Sequence, residues 1–328
     1  MSNSNFFLLR LTLPTLLVLL SAPVIAQHHD DLPTPKNSES FALKGVAKEM
    51  TEQYYSIAIS GSTDTLTKND TTYTLIEENK MQFDSLGHLT QERNLTYNNR
   101  GKVNHSNHTD YQYTSTGKIY TIEHYINEHL VSIKRLHYNN DNLLSELVQQ
   151  DKKGKLESTT LFYYKDGQVF NIKIKDEDNV MQNFIRLSYD SKDQLKEREY
   201  RGATMQLLNS QKYLRDTLND TITRLNLYDY ATDGKVRALF TYLYDQDGNI
   251  IQQTILDSNK KTTLYQTNTY NEQNELTKET NFSNDIKTEN SYQYTHDQQK
   301  SWITQTISQQ GVLMALRKRA IVYYTKED

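Results

Sequence analysis

The chain has 328 residues, no cysteine and a formal net charge of −4, from 37 basic and 41 acidic side chains. Without cysteine it cannot form a disulfide, a thiol nucleophile or a thiolate metal site, and it cannot be lipidated on an N-terminal cysteine. Because both signs of charge are interspersed along a slightly acidic chain, the composition argues against nucleic acid as a partner.

Residues 1–26 have the pattern of a secretory signal peptide. Arg10 precedes an apolar run that begins at Leu11 and ends on the small residue Ala26. The run is short for a membrane helix of about 20 residues and is interrupted by Pro14 and Pro23. A retained N-terminal anchor is the alternative. We therefore expect an exported protein of the periplasm or extracellular space, not lipidated, with no membrane insertion after signal removal.

Residues 27–40 form a polar, proline-containing leader that we expect to be disordered. From residue 41 onward the texture changes, and apolar or aromatic residues alternate with polar ones. Side chains two apart lie on one face of a strand, so this alternation is typical of half-buried β-strands. The sequence therefore predicts a single β-repeat domain over residues 41–328.

A turn motif recurs about every 13 residues along this domain. Each copy has an aromatic residue, polar residues, then Gly or Asn, and an aliphatic residue two positions later. Good copies begin at Phe83, Tyr97, Tyr113, Tyr230 and Tyr244; all five have glycine, at Gly87, Gly101, Gly117, Gly234 and Gly248, and Asp245 follows Tyr244. Copies without glycine begin at Tyr138, Tyr189 and Tyr270.

The spacing predicts an all-β antiparallel meander of about 17 or 18 short strands, in one elongated, twisted or coiled sheet. Strong turns recur near every 26 residues, so they are predicted on one edge of the sheet, with weak turns on the other. Tyrosine and aliphatic residues of neighbouring copies should pack in a ladder on one face.

One interval lacks clear turns. Between Tyr189 and Tyr230 the sequence predicts two degenerate turns, near Ala203 and Asp216. A helix over 205–214 is the competing interpretation, because its apolar spacing is ambiguous, so strand and helix both remain open for 200–222.

The motif resembles the YD (Rhs-type) repeat. YDQDGNI at Tyr244 fits best, whereas YDSKDQL at Tyr189 departs from it with Asp193 at the glycine position. The opening LKGVAKEMTEQYY, and an end with Trp302, Gly311 and RKRAIVYY, resemble short exported YD-repeat-like proteins of Bacteroidota. The resemblance implies a β-sheet scaffold and no particular reaction.

Candidate metal sites are weak. His105 and His108, and His124 and His129, have odd spacings that place their rings on opposite strand faces; His137 lies on the strand after His124. Turn residues such as Asp245, Asp247 and Asn249, or Asp176 and Asp178, offer too few oxygens for Ca²⁺, and Asp and Asn favour turns by bonding their own backbone. No metal or cofactor is predicted.

No catalytic residue is predicted either. The sequence contains no nucleophile elbow, phosphate loop or zinc-protease motif, and Glu77 and Glu78 fall on opposite faces of a strand. The basic run Arg317–Arg319 is predicted on the solvent side of a last strand, where it would blunt an open edge.

The abundance of tyrosine, 24 residues, has a structural explanation first, because tyrosine favours strands. A surplus on an exposed face would suit a glycan or peptide ligand. The leading hypothesis is a non-enzymatic binding or scaffold protein of the cell envelope, whose partner is an envelope glycan or protein. The alternatives are an enzyme on a β-repeat scaffold and an outer-membrane β-barrel, which would need strands of about ten residues with an apolar outward face.

Overall fold

The computed structural model describes residues 36–59, 71–283 and 286–325, so the signal peptide lies outside the described residues. After a short 3-10 turn at Ser38–Phe41, the described chain forms twenty strands. In chain order these are β1 Ala47–Ile59, β2 Thr71–Phe83, β3 Leu89–Tyr97, β4 Val103–Tyr113, β5 Ile119–Ile126, β6 His129–Tyr138, β7 Leu144–Asp151, β8 Leu156–Lys165, β9 Gln168–Asp176, β10 Met181–Tyr189, β11 Leu195–Gly202, β12 Leu207–Asn219, β13 Ile222–Tyr230, β14 Val236–Tyr244, β15 Ile250–Asp257, β16 Thr262–Tyr270, β17 Leu276–Ser283, β18 Ile286–His296, β19 Trp302–Gln309 and β20 Val312–Tyr323.

Each strand pairs antiparallel with the next, and β20 pairs antiparallel with β1. The predicted meander is confirmed, but the sheet closes into a 20-stranded barrel, and the predictions of 17 or 18 strands and of an open or coiled sheet are wrong. Closure satisfies the backbone groups that two free edges would expose. The strand count was low because hairpins such as Asn127–Glu128 and Gln310–Gly311 turn with two residues and lack the motif.

The five-residue turns share one hydrogen-bond pattern. In the copy at Asp245, its amide donates to the Asn249 carbonyl, the Gly248 amide donates back to the Asp245 carbonyl, and Asp245 Oδ1 accepts from the amides of Asp247 and Asn249. Gly248 has φ of 83°, in the left-handed region. Asp193 takes φ of 60° at the same place in its turn, which explains why Asp and Asn replace glycine in the motif.

Strong turns occur at both rims of the barrel. The terminal rim, which holds the start of β1 and the end of β20, carries the copies at Tyr113 and Tyr244, whereas the distal rim carries those at Tyr97 and Tyr230. The prediction that strong turns share one edge is therefore wrong. An antiparallel hairpin needs the same turn conformation at either rim, so the motif alone does not show at which rim a turn lies.

The ambiguous interval is entirely β. β11 ends at Gly202, a turn covers 203–206, and β12 continues to Asn219 before a short turn at Asp220 and Thr221. The turn near Ala203 is confirmed, the one near Asp216 comes four residues later, and the helix over 205–214 is not formed. Pairing on both sides decides the matter, since β12 lies between β11 and β13.

Turn carboxylates contribute to stability in a pH-dependent way. Asp190 Oδ1 accepts the amides of Gln194 at 3.0 Å and Lys192 at 2.8 Å, and these bonds lower the pKa of the carboxyl. We expect Asp190→Ala to reduce unfolding free energy by about 1 kcal/mol at neutral pH. A carboxyl whose pKa is lowered in the folded state stabilises the fold at pH values above its unfolded-state pKa. The difference in unfolding free energy between wild type and Asp190→Ala should therefore shrink as the pH falls below about 4.

Urea denaturation at neutral pH and at acidic pH measures both effects. Asp190→Asn is the matched control, because Asn98, Asn139 and Asn271 accept the same pair of amides in their turns. If the difference in unfolding free energy between wild type and Asp190→Asn did not change between neutral and acidic pH, the assignment to this carboxyl would be contradicted.

Candidate functional surfaces of the barrel

The strand register divides the side chains into two continuous faces, since directly paired residues lie on the same side of a sheet. One face carries the buried apolar clusters, which include Leu89, Phe162 and Ile185, together with buried Trp302 and many tyrosines. Side chains crowd on the concave side of a closed sheet, so we assign this face to the interior and call it the inner face. The opposite, outer face carries most of the strand lysines and arginines.

Tyrosines line the inner face at the terminal rim, and their hydroxyls donate to backbone carbonyls. Tyr113 bonds the Leu89 carbonyl at 2.7 Å, and Tyr138 bonds that of Ile119 at 2.7 Å. The same contact recurs from Tyr164 to Leu144, Tyr189 to Val169, Tyr270 to Ile250 and Tyr294 to Leu276. On β12, which ends in a two-residue turn without the motif, Arg215 takes the place of tyrosine and bonds the Leu195 carbonyl at 2.6 Å.

The stagger of the strands explains this tyrosine ladder. β8 pairs with β7 only as far as Leu161 opposite Glu146, so Leu144 lies beyond the last ladder pair on that side. Its carbonyl therefore lacks a backbone partner there, and Tyr164 supplies one at 2.8 Å. The predicted packing of tyrosine against aliphatic residues is confirmed in the inner-face cluster, and the tyrosine hydroxyl adds a bond to the aliphatic residue's backbone. The hydrogen bond links each turn to the preceding turn on the same rim, which accounts for the recurrence of strong turns near every 26 residues.

Tyrosines at the distal rim do not follow this pattern. Tyr97 donates to Glu78 at 3.3 Å, and Tyr230 stacks with Tyr228 at a centroid distance of 6.3 Å. The same turn motif therefore occurs in two different environments. Only the terminal rim uses its tyrosine to complete the backbone hydrogen bonding.

A buried charge cluster joins the first and last strands. Glu52 of β1 accepts hydrogen bonds from Arg317 and, at 2.6 Å, from Arg319 of β20. Arg319 also donates to the Phe41 carbonyl at 2.9 Å, and its guanidinium lies 3.4 Å from the ring centroid of Trp302. The prediction that the basic run faces solvent at an open edge is wrong for Arg317 and Arg319. Strand alternation leaves only Lys318 on the outer face.

The segment before β1 crosses this seam at the terminal rim. The Leu89 amide donates to the Lys36 carbonyl at 2.9 Å, and the Lys44 amide donates to Ser301 Oγ at 2.8 Å. Phe41 and Leu43 are buried between these two points. The end of the predicted leader is therefore part of the fold from Lys36 onward, and it spans from β3 to the turn before β19.

The outer face contains one sector without charged side chains. Its residues on β14, β15 and β16, which pair directly with one another, are Leu239, Thr241, Leu243, Gln252, Thr254, Leu256, Tyr265, Thr267 and Thr269. Arg224 of β13 and Lys278 of β17 bound this uncharged outer sector. Elsewhere the outer face carries ion pairs such as Lys212 with Glu197, 3.6 Å apart.

Carboxamide side chains surround a carboxylate at two places on the inner face. Glu279 accepts hydrogen bonds from Asn281 at 2.6 Å, Asn290 at 3.1 Å and Gln266 at 3.2 Å. Glu77 accepts from Asn79 at 3.0 Å and from Asn94 at 2.9 Å. We call these the Glu279 cluster, which also includes Asn268 and Gln309, and the Glu77 cluster, which also includes Asn107.

The sequence analysis missed both clusters, although a signal was present. The pattern Glu-x-Asn occurs at Glu77 and again at Glu279, in each case with an Asn on the following strand. Glu77 and Glu78 do lie on opposite faces, as predicted from strand alternation.

The histidines considered as metal ligands are dispersed. His105 lies on the inner face, whereas His108 lies on the outer face and stacks on Tyr125 at 4.1 Å between ring centroids. His124 Nδ1 lies 3.4 Å from Thr109 Oγ1, and His129 Nδ1 lies 2.7 Å from the Asn127 carbonyl. Within residues 36–59, 71–283 and 286–325, no group of three His, Asp or Glu side chains has the geometry to hold a metal ion.

In the part of the chain that the structure describes, no helix is long and apolar enough to cross a membrane. No family model matches the sequence, and no curated protein matches it. Similar solved structures include a porin-like protein from Bacteroides uniformis ATCC 8492, at 10% sequence identity and a TM-score of 0.34, covering 85% of this chain and 98% of that chain. These values identify neither a family nor an activity.

The closed barrel corrects one functional prediction. The expectation that the mature chain does not insert into a membrane depended on an open, soluble sheet. Closed barrels are the form in which β-strands cross membranes, because closure leaves no unpaired edge. That prediction is therefore wrong, and the twenty-stranded barrel fits the outer-membrane alternative better than the open binding scaffold.

Proposed function

We propose that the chain is an exported, non-enzymatic β-barrel of the outer membrane. The observation that carries the proposal is closure: an even number of antiparallel strands, each paired with its sequence neighbour, with β20 paired to β1. Bacterial outer-membrane barrels share this organisation. The strands have 8 to 13 residues, which brackets the length of about 9–11 residues needed to cross a bilayer.

The uncharged outer sector is the surface that we assign to lipid contact. Charged side chains facing lipid cost about 2–4 kcal/mol each at the bilayer midplane, whereas threonine, leucine and tyrosine are tolerated there or at the interfaces. Leu239 and Leu243 of β14 and Leu256 of β15 lie in this sector. The remainder of the outer face is charged, unlike the continuous apolar band of known outer-membrane barrels, so the proposal assigns it to neighbouring proteins and, near the rims, to lipid headgroups.

The tyrosines of the inner face do not form the exposed, tyrosine-rich ligand-binding surface that the sequence suggested. The rim tyrosines use their hydroxyls on backbone carbonyls, as Tyr138 does with Ile119, and are half-buried. Their role is therefore structural first. The relation to YD-repeat proteins remains a proposal supported by the motif, and in that view the barrel is what such a repeat builds when its two ends pair.

Fractionation of expressing cells tests membrane insertion. We expect the protein in the outer-membrane fraction after carbonate extraction, and we expect slower gel migration after heating than before it, as a closed barrel unfolds. Release into the soluble fraction by carbonate would contradict the proposal.

Single cysteines locate the lipid contact, because the natural chain has none. In membranes, Leu243→Cys should react with a water-soluble maleimide at least about tenfold more slowly than Leu161→Cys, since water is scarce in lipid. Leu161 is the matched control, also a leucine within a strand but on the charged part of the outer face of β8. Equal labelling of the two would exclude the proposed sector.

A further inference from the structure

The Glu279 and Glu77 clusters repeat one arrangement on the inner face. In each, a Glu-x-Asn pair on one strand meets an Asn on the next, as Glu279 is paired with Asn290 and Asn79 with Asn94. The clusters lie on either side of the barrel seam, and β18, β19, β20 and β1 separate the strands β17 and β2 that carry their Glu-x-Asn pairs. An element that occurs twice with the same chemistry calls for one explanation of both.

The Glu279 cluster keeps hydrogen-bonding capacity after its internal bonds are made. Gln266, Asn281 and Gln309 each donate an amide N–H within the cluster. In the described part of the chain their side-chain oxygens accept no hydrogen bond. All three side chains are half-buried and so remain reachable from the barrel interior. In the Glu77 cluster, by contrast, Asn107 Oδ1 is buried and has no hydrogen-bond partner among the described residues.

This combination matches the chemistry of sugars. An amide offers an acceptor beside a donor, as do adjacent hydroxyls of a pyranose, and each cluster has a single carboxylate at its centre. A half-buried tyrosine lies alongside the Glu77 cluster, because Tyr54 is paired with Glu77. Tyr292, two residues from Asn290 on the same face, is buried at 8% exposure. A ring face beside polar groups accommodates the apolar face of a sugar, while the carboxylate disfavours anions.

We propose that the two clusters are binding sites for neutral carbohydrate on the inner face of the barrel. Gln266, Asn281 and Gln309 in one, and Asn79 in the other, accept and donate hydrogen bonds to sugar hydroxyls. Glu279 and Glu77 orient the amides. The proposal goes beyond the membrane assignment and does not depend on it, because binding to the inner face requires only the closed barrel.

Calorimetry on the purified mature chain, with maltohexaose and cellohexaose as probes and an oligogalacturonate as the anionic comparison, tests the proposal. We expect saturable binding of a neutral probe and weaker binding of the anion. Asn281→Ala should weaken binding at its site at least about fivefold, the effect of one lost hydrogen bond, and the double variant with Asn79→Ala should abolish it. Gln309→Ala, at the periphery, carries the same expectation if Asn281→Ala unfolds.

The control is Gln293→Ala, which removes an exposed amide between Tyr292 and Tyr294 on the outer face and should bind as the wild type does. Binding of neither neutral probe by the wild type would overturn the proposal. So would equal affinities for the double variant and Gln293→Ala, which would leave the clusters as structural amide ladders. Neither outcome bears on carbonate extraction, so failure of this proposal and failure of membrane insertion are distinguishable.

Discussion

Arg319→Ala should destabilise the barrel by about 3–5 kcal/mol, the usual cost of removing one partner from a buried ion pair. The variant loses the bond to Glu52, the bond to the Phe41 carbonyl and the contact with Trp302. Glu52, 7% exposed, keeps only Arg317 as a cationic partner. Because the bonds to Glu52 and to the Phe41 carbonyl join β20 to β1 and to the segment before it, we expect the seam to open first.

Urea or thermal unfolding measures the loss, and Lys318→Ala is the matched control, one residue away on the outer face. A disulfide between Thr51→Cys and Ala320→Cys, which are directly paired across the seam, should restore much of the stability of Arg319→Ala. An Arg319→Ala barrel as stable as Lys318→Ala would show that closure does not depend on this cluster.

Replacing three rim tyrosines by phenylalanine should have the second largest effect. Tyr113→Phe, Tyr138→Phe and Tyr164→Phe each remove a hydroxyl and leave a carbonyl without its partner, at about 1–3 kcal/mol per site. The rings and their packing are kept, so the triple variant isolates the hydrogen bonds. We expect a combined loss of about 3 kcal/mol or more in unfolding free energy.

Tyr163→Phe is the control, because Tyr163 lies on the outer face and is 36% exposed. Hydrogen exchange adds a local readout: amides near the terminal rim should lose protection in the triple variant, while those at the distal rim should not. Uniform loss at both rims would contradict a role confined to the terminal rim.

The conformation of the turns and the alternation of the strands could be predicted from the sequence. Most hairpins were identified by a glycine, or another residue that tolerates positive φ, after a run of turn-forming residues. Asp193 and Gly248 both have the positive φ that this turn motif requires. Alternation placed Glu77 and Glu78 on opposite faces. These features depend on one or two neighbouring turns, so short-range physics determines them.

The functional surfaces needed long-range information. The contact between Glu52 and Arg319 joins residues 267 positions apart, and no local pattern reports it. The Glu-x-Asn pattern is visible at Glu77 and Glu279 and also at Glu92, Glu177 and Glu272, and only the register that brings Asn290 beside Glu279 shows which copies form a cluster. Arg317 and Arg319 were placed in solvent because an open last strand was assumed.

The sequence by itself thus determined the antiparallel meander, its turns and the alternation of its strands, because neighbouring residues set turn conformation and strand faces. Only the tertiary structure decided that the meander closes. Closure depends on accumulated twist and stagger over twenty strands, and on whether β20 meets β1 in register. That pairing converts a solvent edge into a buried seam, gives the sheet an inside and an outside, and turns a repeat with two free ends into a candidate membrane barrel.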